Sequence, residues 1–116
     1  MSTAPGTDFH YQIEETKDAR DYVTTTIKCQ GKLISENADE IRKLVQPLLQ
    51  AGGRTVLDFA DLEYLDSAGL GAIVGLKVSA IKRGLCVLEL VNLTPRVKKL
   101  LSMTNLLQLL SAQGGS

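Results

Sequence analysis

The sequence predicts a single α/β domain in which helices flank a mixed, mostly parallel β-sheet. Two observations support this prediction. Segments with a strand pattern alternate with segments of helical pattern, which is typical of a sheet built from parallel strands. The chain also opens on a hairpin, which requires at least one antiparallel strand. With 116 residues, the chain is long enough for one compact domain and too short for two.

The domain is expected to span residues 9–110, between two flexible tails. Residues 1–8 are small or polar and include Pro5 and Gly6, and residues 111–116 end in two glycines and a serine. Terminal segments of this composition have little to tie them down and are commonly poorly ordered.

Four segments have the composition of strands. Residues 9–15 and 22–29 carry β-branched and aromatic side chains on either side of a polar turn region, and they predict the hairpin. Apolar runs at residues 55–59 and 85–91 predict two further strands. Residues 106–110 fit either a final edge strand or more helix, and their pattern does not decide between the two.

The first helix is predicted from a run of apolar residues at helical spacing after residue 40. Asn37 and Glu40 resemble a capping box at its start, and the glycine pair at residues 52–53 supplies its end. Pro47 lies inside this segment and predicts a kink or an early end, because proline removes a helical hydrogen bond. The apolar face consists of Ile41, Leu44, Val45, Leu48 and Leu49.

Two more helices are predicted in the second half of the chain. One connects the last two strands. The other begins near Thr94 and Pro95, because threonine can cap a helix and proline suits the first helical position. Their predicted buried faces are Leu70, Ile73, Val74, Val78 and Ile81 in the former, and Val97, Leu100 and Leu101 in the latter.

The composition argues against several classes of function. Thirteen basic and thirteen acidic residues give a formal net charge of zero, so the chain has no long-range field for nucleic acid or an anionic membrane. His10 is the only histidine, metal-ligand spacing is absent, and neither a metal nor another cofactor is expected. Cys29 and Cys86 lie in apolar segments, where cysteine behaves as a small hydrophobe. Two cysteines without a signal peptide predict a reduced, cytoplasmic protein.

The most informative segment runs from residue 56 to residue 71. A strand leads through an acidic connection, which contains Asp61 and Tyr64, to Asp66 and Ser67, and an amphipathic helix follows directly. The Ser67 hydroxyl is therefore predicted at a helix N-terminus, where free backbone N–H groups and the helix dipole favour a phosphate. A phosphate would add about −1.5 to −2 charges beside two carboxylates and change what this surface binds.

Simpler interpretations of the same residues stay open. A serine in front of a helix is often only an N-cap, which contributes about 1 kcal/mol. Gly69 and Gly71 either leave the first helical turn bare for a partner or allow the helix to pack closely on the sheet.

Residues 56–62 (VLDFADL) and 66–71 (DSAGLG) together resemble the signature of the STAS family, which includes the bacterial anti-sigma factor antagonists. Residues 31–33 (GKL) are similar to the family's turn before its first helix. Residues 92–97 resemble the family's segment between its last long strand and its third helix, and residues 101–106 resemble its L-x-x-T/S-G-L ending. The similarity covers roughly residues 9 to 110 in order.

The resemblance implies a mixed sheet flanked by helices and a protein that binds an anti-sigma factor, itself an ATP-dependent serine kinase. In the family the first serine after the aspartate is the phosphoacceptor, and Ser67 matches it. The unmodified form would bind the anti-sigma factor, phosphorylation would release it, and a phosphatase would restore binding. The residues expected at the partner surface are Asp61, Tyr64, Asp66, Ser67, Ala68, Gly69, Leu70 and Gly71.

Three features depart from the family pattern. Ile34 occupies a position after the GKL turn where an acidic residue is common, and Ser35 follows it. Ala68 replaces a second hydroxyl residue, which leaves Ser67 as the only hydroxyl acceptor in the motif. The chain stops soon after Leu110, so the family's C-terminal helix is expected to be short or missing.

Catalysis is the first competing class of function. A serine at a strand-to-helix junction is similar to a nucleophile elbow, but Leu65 takes the place of the first glycine in the G-x-S-x-G pattern. His10, at the edge of the N-terminal tail, is a poor candidate for the required base. The sequence therefore predicts a protein without catalytic activity.

A nucleotide site and a scaffold are the other two alternatives. Gly69, Gly71 and Gly75, with Glu89 further on, superficially match a dinucleotide fingerprint. That fingerprint needs its first glycine at a strand end, whereas the predicted strand stops at residue 59. STAS-like domains also serve as scaffolds in signalling or lipid-transport complexes, without sigma-factor control, and a fold does not determine which role applies.

Overall fold

The computed structural model describes residues 9–84 and 86–103, and this part of the chain forms one four-stranded sheet with three helices. The elements are β1 (Phe9–Lys17), β2 (Val23–Leu33), α1 (Ala38–Ala51), β3 (Gly53–Leu65), α2 (Ser67–Arg83), β4 (Cys86–Val91) and α3 (Pro95–Met103). The strand order is β1-β2-β3-β4, with β1 antiparallel to β2 and β3 parallel to both of its neighbours. The predicted mixed, mostly parallel α/β fold is confirmed.

The hairpin of β1 and β2 is confirmed, and local side-chain chemistry explains its turn. The Asp18 carboxylate accepts hydrogen bonds from the backbone N–H of Arg20 at 2.8 Å and of Tyr22 at 3.0 Å. Aspartate favours turns because its short side chain can satisfy the backbone in this way. Asp21 has a φ of 64°, a left-handed conformation that aspartate tolerates better than most residues.

The core lies between the sheet and its helices. Thr55, Val56 and Leu57 of β3 are all buried, and because neighbouring side chains point to opposite faces, both faces of the strand are covered here. Cys29 and Cys86 are free and buried, as predicted. Burial raises the pKa of the Cys29 thiol to about 12, so it stays protonated at neutral pH and behaves as an apolar residue.

Helix α1 runs past Pro47 to Ala51, so the early end that proline predicted does not occur. Its buried residues Ile41, Val45 and Leu49 lie on both sides of the proline, and their packing holds the helix together across the missing hydrogen bond. The helix stops at the predicted glycine pair, residues 52–53, where φ is 83° and 85°.

The predicted capping box at the start of α1 is wrong. Asn37 does precede the helix, but its side chain makes no cap hydrogen bond. Instead, its Oδ1 accepts from the N–H of Ile34 at 2.8 Å, and its Nδ2 donates to the carbonyl of Lys32 at 3.1 Å. Asn37 is 3% exposed, so these bonds satisfy a buried amide and set the shape of the loop between β2 and α1.

The predicted buried face of α2 is partly wrong. Ile81 is 58% exposed, and Leu70, Val74 and Val78 are only half-buried. The helix packs against α1 and β4, and these contacts decide which of its faces is buried. The residues that are buried in α2 are Gly69, Ala72, Ile73, Leu76, Lys77 and Ala80.

Lys77 is a buried charge that the apolar pattern of α2 did not reveal. Its side chain is 1% exposed, and its Nζ donates to the carbonyl of Leu88 in β4 at 2.7 Å. Burial lowers the pKa of Lys77, and the nearby carboxylate of Glu89 opposes that effect. The hydrogen bond to Leu88 ties α2 to the sheet.

The start of α3 agrees with the sequence prediction. The Thr94 hydroxyl accepts from the N–H of Val97 at 3.2 Å, which caps the helix, and Pro95 is its first residue.

The tails at residues 1–8 and 111–116, and the segment at residues 106–110, lie outside the described residues. Within the described ranges, no helix is long and apolar enough to span a membrane.

Candidate partner-binding site

Strand β3 continues to Leu65, so the acidic connection predicted after residue 59 is wrong. Two irregularities in its pairing with β2 explain the error, because each adds a residue to β3 and breaks the two-residue alternation of a strand. As a result, Leu62 and Leu65 are both buried, three residues apart, while Asp61 and Tyr64 are exposed. The pairs that bracket the irregularities are Lys28 with Asp58, Gln30 with Asp61, Gly31 with Leu62, and Lys32 with Tyr64.

Asp66 joins three elements at the end of β3. Its Oδ1 accepts from the N–H of Gly69 at 2.9 Å, which makes it the N-cap of α2. Its Oδ2 accepts from the N–H of Ser35 at 3.0 Å, in the loop after β2. Its own N–H donates to the carbonyl of Leu33 at 3.2 Å, at the end of β2. The carboxylate of Asp66 therefore joins the helix start to the neighbouring loop, and its backbone N–H ties the same junction to the end of β2.

Ser67 is the first residue of α2, and it is exposed. The alternative in which Ser67 is itself the N-cap is wrong, because Asp66 caps the helix. Within the described part of the chain, no hydrogen bond to the Ser67 hydroxyl is present. The hydroxyl is therefore open to solvent beside a helix N-terminus, where backbone N–H groups and the helix dipole favour an anion.

The two glycines of the motif differ in what they do. A Cβ on Gly69 would lie 2.3 Å from the carbonyl oxygen of Leu33, so this glycine is needed for α2 to approach the end of β2. A Cβ on Gly71 would meet nothing within 4 Å, and Gly71 is exposed. Gly69 shapes the site from within, whereas Gly71 leaves its surface bare. Ala68 and Leu70 beside them are half-buried.

The loop between β2 and α1 contributes to the same surface, which the sequence analysis did not predict. Ser35 and Glu36 are exposed, and the Ser35 hydroxyl donates to the Glu36 carboxylate at 3.2 Å. Ile34 occupies the position where the family resemblance implied an acidic residue, and Glu36 supplies a carboxylate two residues later. The departure at Ile34 was the available signal that this loop belongs to the site.

Asp66→Ala is expected to lower the free energy of unfolding by about 2 kcal/mol. Loss of an N-cap costs about 1 kcal/mol, and the N–H of Ser35 also loses its charged acceptor. Urea denaturation followed by circular dichroism measures the change. Asp61→Ala is the matched control, because Asp61 is exposed and should change stability by less than about 0.5 kcal/mol. Equal effects of the two substitutions would contradict the bridging role of Asp66.

The end of β3 also affects the nucleotide alternative. The long separation predicted between the end of this strand and the first glycine of the motif counted against a dinucleotide fingerprint. That prediction is wrong, because the strand ends at Leu65. The geometry now counts against this fingerprint, because Gly69 is packed against the Leu33 carbonyl and its N–H is already bonded to Asp66, so this glycine cannot approach a pyrophosphate. Among residues 9–84 and 86–103, no group of three His, Cys, Asp or Glu residues is placed to hold a metal ion.

The fold and the junction define a class of protein: a small α/β domain that presents a D-S-A-G-L-G motif where a parallel strand meets a helix. The chain belongs to the STAS domain family, whose model matches residues 10–113. Solved structures of anti-sigma factor antagonists and of a transporter-family protein resemble it.

Four solved structures have a similar fold. A Thermotoga maritima protein named as a proposed anti-sigma factor antagonist is 27% identical, with a TM-score of 0.71 over 85% of this chain and 83% of the other. The anti-sigma factor antagonist SpoIIAA in its unphosphorylated form is 23% identical, with a TM-score of 0.67 over 84% of this chain and 83% of its own. SpoIIAA of Bacillus has also been solved in its phosphorylated form, with 20% identity, a TM-score of 0.66 and coverage of 89% of each chain. A sulfate transporter family protein from Wolinella succinogenes is 20% identical, with a TM-score of 0.65 over 76% of this chain and 71% of the other.

Proposed function

We propose that this STAS domain is an anti-sigma factor antagonist whose binding is switched by phosphorylation of Ser67. The observation that carries the proposal is the exposed Ser67 hydroxyl at the start of α2, with the capping role taken by Asp66. A hydroxyl that capped its own helix would be engaged with the backbone. This one is available to a kinase and to a partner without any cost to the helix.

The charges around Ser67 explain how phosphorylation changes binding. Asp66 precedes it, and Glu36 lies in the loop that Asp66 holds. Phosphorylation adds about −1.5 to −2 charges to this surface. The helix N-terminus tolerates the phosphate, so the fold is retained. A partner shaped to the neutral serine meets a bulky, strongly anionic group and loses its contacts.

The partner contacts in this proposal come from the surface around the α2 start. Ser67 and Gly71 form the exposed centre of this surface, and Ala68 and Leu70 form its half-buried floor. Asp61 and Tyr64 form the side that strand β3 contributes. Asp66 orients the junction between β3 and α2, and Gly69 allows this junction to form. The unmodified domain binds an anti-sigma factor that is also a serine kinase and so frees the sigma factor. A phosphatase reverses the modification. The domain acts in the cytoplasm and has no catalytic activity of its own.

The likeness to the Thermotoga maritima protein at 27% identity supports this function over other roles of the fold. A second candidate is a scaffold subunit of a signalling or lipid-transport complex without sigma-factor control. The likeness to a sulfate transporter family protein favours it, because the name of that protein connects a similar fold with transport.

Phosphorylation of Ser67 is tested by incubating the purified protein with ATP, magnesium and lysate of its own host, followed by peptide mass spectrometry. We expect phosphate on Ser67, lost in Ser67→Ala and retained in Ser35→Ala, the matched control on the neighbouring loop. Lysates of growing and of stressed cells are both used. Phosphate on Ser35 alone, or no phosphate under either condition, would contradict the switch and favour the scaffold.

A further inference from the structure

A second site lies at the end of the sheet opposite to Ser67. A cavity of about 290 Å³ opens where β2 and β3 begin and α1 ends. Its walls include Val23, Leu48, Ala51 and the glycine pair at residues 52–53. A Cβ on Gly53 would lie 2.7 Å from the carbonyl oxygen of Val23, so a glycine is required here for the two strand starts to approach each other. Ser67, by contrast, follows the last residue of β3.

The sheet side of this cavity carries a row of polar side chains across three strands, from an exposed glutamate at the rim to two buried threonines at the floor. Glu15 pairs with Thr25, and Thr25 pairs with Thr55, so the three side chains lie side by side on one face of the sheet. Thr25 is 5% exposed and Thr55 is 1% exposed. The rows on the same strands nearer to Ser67 are apolar, with Ile27 paired to Leu57. The polar row therefore differs from the apolar row beside it on the same strands.

The two threonine hydroxyls have no hydrogen-bond partner among the described residues. No fully enclosed side-chain oxygen or nitrogen in this part of the chain lacks a partner, so both hydroxyls must reach the cavity rather than be sealed beneath it. A hydroxyl that opens into a cavity can donate a hydrogen bond to a ligand and accept one from it. The cavity therefore offers two hydrogen-bonding groups that the fold does not use.

The charged groups that line the cavity have one sign. Glu15 and Asp21 are its charged residues, and the lining contains no lysine, arginine or histidine. Both carboxylates are exposed, and neither forms an ion pair within the described ranges. Such a rim attracts a cation and repels an anion, while Leu48 and Val23 offer apolar contact below it.

We propose that this cavity binds a small organic amine. The ammonium group lies between Glu15 and Asp21, the carbon chain contacts Leu48, and a polar group at the far end hydrogen-bonds to Thr25 and Thr55. The proposal is independent of the switch at Ser67, because the two sites lie at opposite ends of β3 and share no residue.

The probe is 1,4-diaminobutane, titrated into the ¹⁵N-labelled protein and followed by NMR. We expect saturable shifts of the backbone amides of Thr25, Gly52, Gly53 and Thr55, with little change at Ser67. Two compounds of equal chain length serve as controls: 1,4-butanediol, which lacks charge, and succinate, which carries the opposite charge. Both are expected to bind at least about tenfold more weakly, since a charge-assisted hydrogen bond is lost.

Matched variants separate the cavity from the opposite face of the same strands. Thr25→Val and Glu15→Gln are each expected to weaken binding of 1,4-diaminobutane about fivefold to tenfold. Thr24→Val and Glu14→Gln change neighbouring residues that point to the other face, and they should leave binding unchanged. Equal binding of all three compounds, or equal effects of the two pairs of variants, would overturn the proposal. So would shifts spread over the whole surface, which indicate non-specific attraction.

Discussion

Gly69→Ala is expected to lower the free energy of unfolding by about 2–3 kcal/mol. The added Cβ would lie 2.3 Å from the carbonyl oxygen of Leu33, and a backbone atom held in the sheet cannot move aside as a flexible side chain can. Overpacking of this kind typically costs about 1–3 kcal/mol. The helix start must shift away from β2, which also strains the hydrogen bonds of Asp66. Urea denaturation followed by circular dichroism measures the change.

Gly71→Ala is the matched control for this experiment. It lies two residues further along α2, its Cβ would meet nothing within 4 Å, and alanine is the better helix former. We expect Gly71→Ala to raise the free energy of unfolding by about 0.5–1 kcal/mol. Opposite signs at two neighbouring glycines would establish that one is present for packing and the other is not. A neutral or stabilising Gly69→Ala would show that α2 can retreat from β2 without penalty.

Ser67→Asp is expected to weaken binding to the anti-sigma factor by more than tenfold, or about 1.4 kcal/mol. The substitution places a negative charge where phosphorylation would add a larger one, beside Asp66 and at the exposed start of α2. A partner that fits the neutral serine must then bury or displace an unpaired charge, which is unfavourable. Isothermal titration calorimetry with the purified partner measures the affinity.

Loss of binding in Ser67→Asp must be separated from loss of folding. An acidic residue in the first turn of a helix interacts favourably with the dipole, so the variant should be at least as stable as the wild type. Ser67→Asn introduces a side chain of the same size as aspartate but without its charge. This variant should bind the anti-sigma factor more tightly than Ser67→Asp does. Ser35→Asp places the same charge on the adjoining loop and should have a smaller effect. Equal affinities of wild type and Ser67→Asp would refute the switch.

Elements whose causes lie within a few residues could be predicted from the sequence. The hairpin follows from the polar turn around Asp18, and α3 begins at Thr94 and Pro95 because a hydroxyl cap and a fixed φ act locally. The end of α1 at residues 52–53 follows from the left-handed conformation that glycine adopts easily. The position of Ser67 at a helix start was predictable for the same reason, since a short motif sets it.

Errors in the sequence prediction occur where a residue responds to a distant part of the chain. Residues 60–65 lack the alternation of buried and exposed side chains that is typical of a strand, because two bulges against β2 interrupt it. The sequence of this segment alone does not show how it pairs with β2. Asn37 appeared to be a cap, yet its amide bonds the loop that precedes it. The inward face of α2 depends on how closely that helix approaches α1 and β4.

The sequence by itself determined the α/β class, the order of the elements and the serine at the start of α2. These follow from hydrophobic periodicity, caps and turns, which act over short distances. Tertiary structure alone decided that Asp66, besides capping α2, holds the loop at Ser35, 31 residues away, and that Ser67 is left exposed. The physical reason is that a carboxylate has two oxygens, and which N–H groups they meet depends on strand pairing that brings distant residues together.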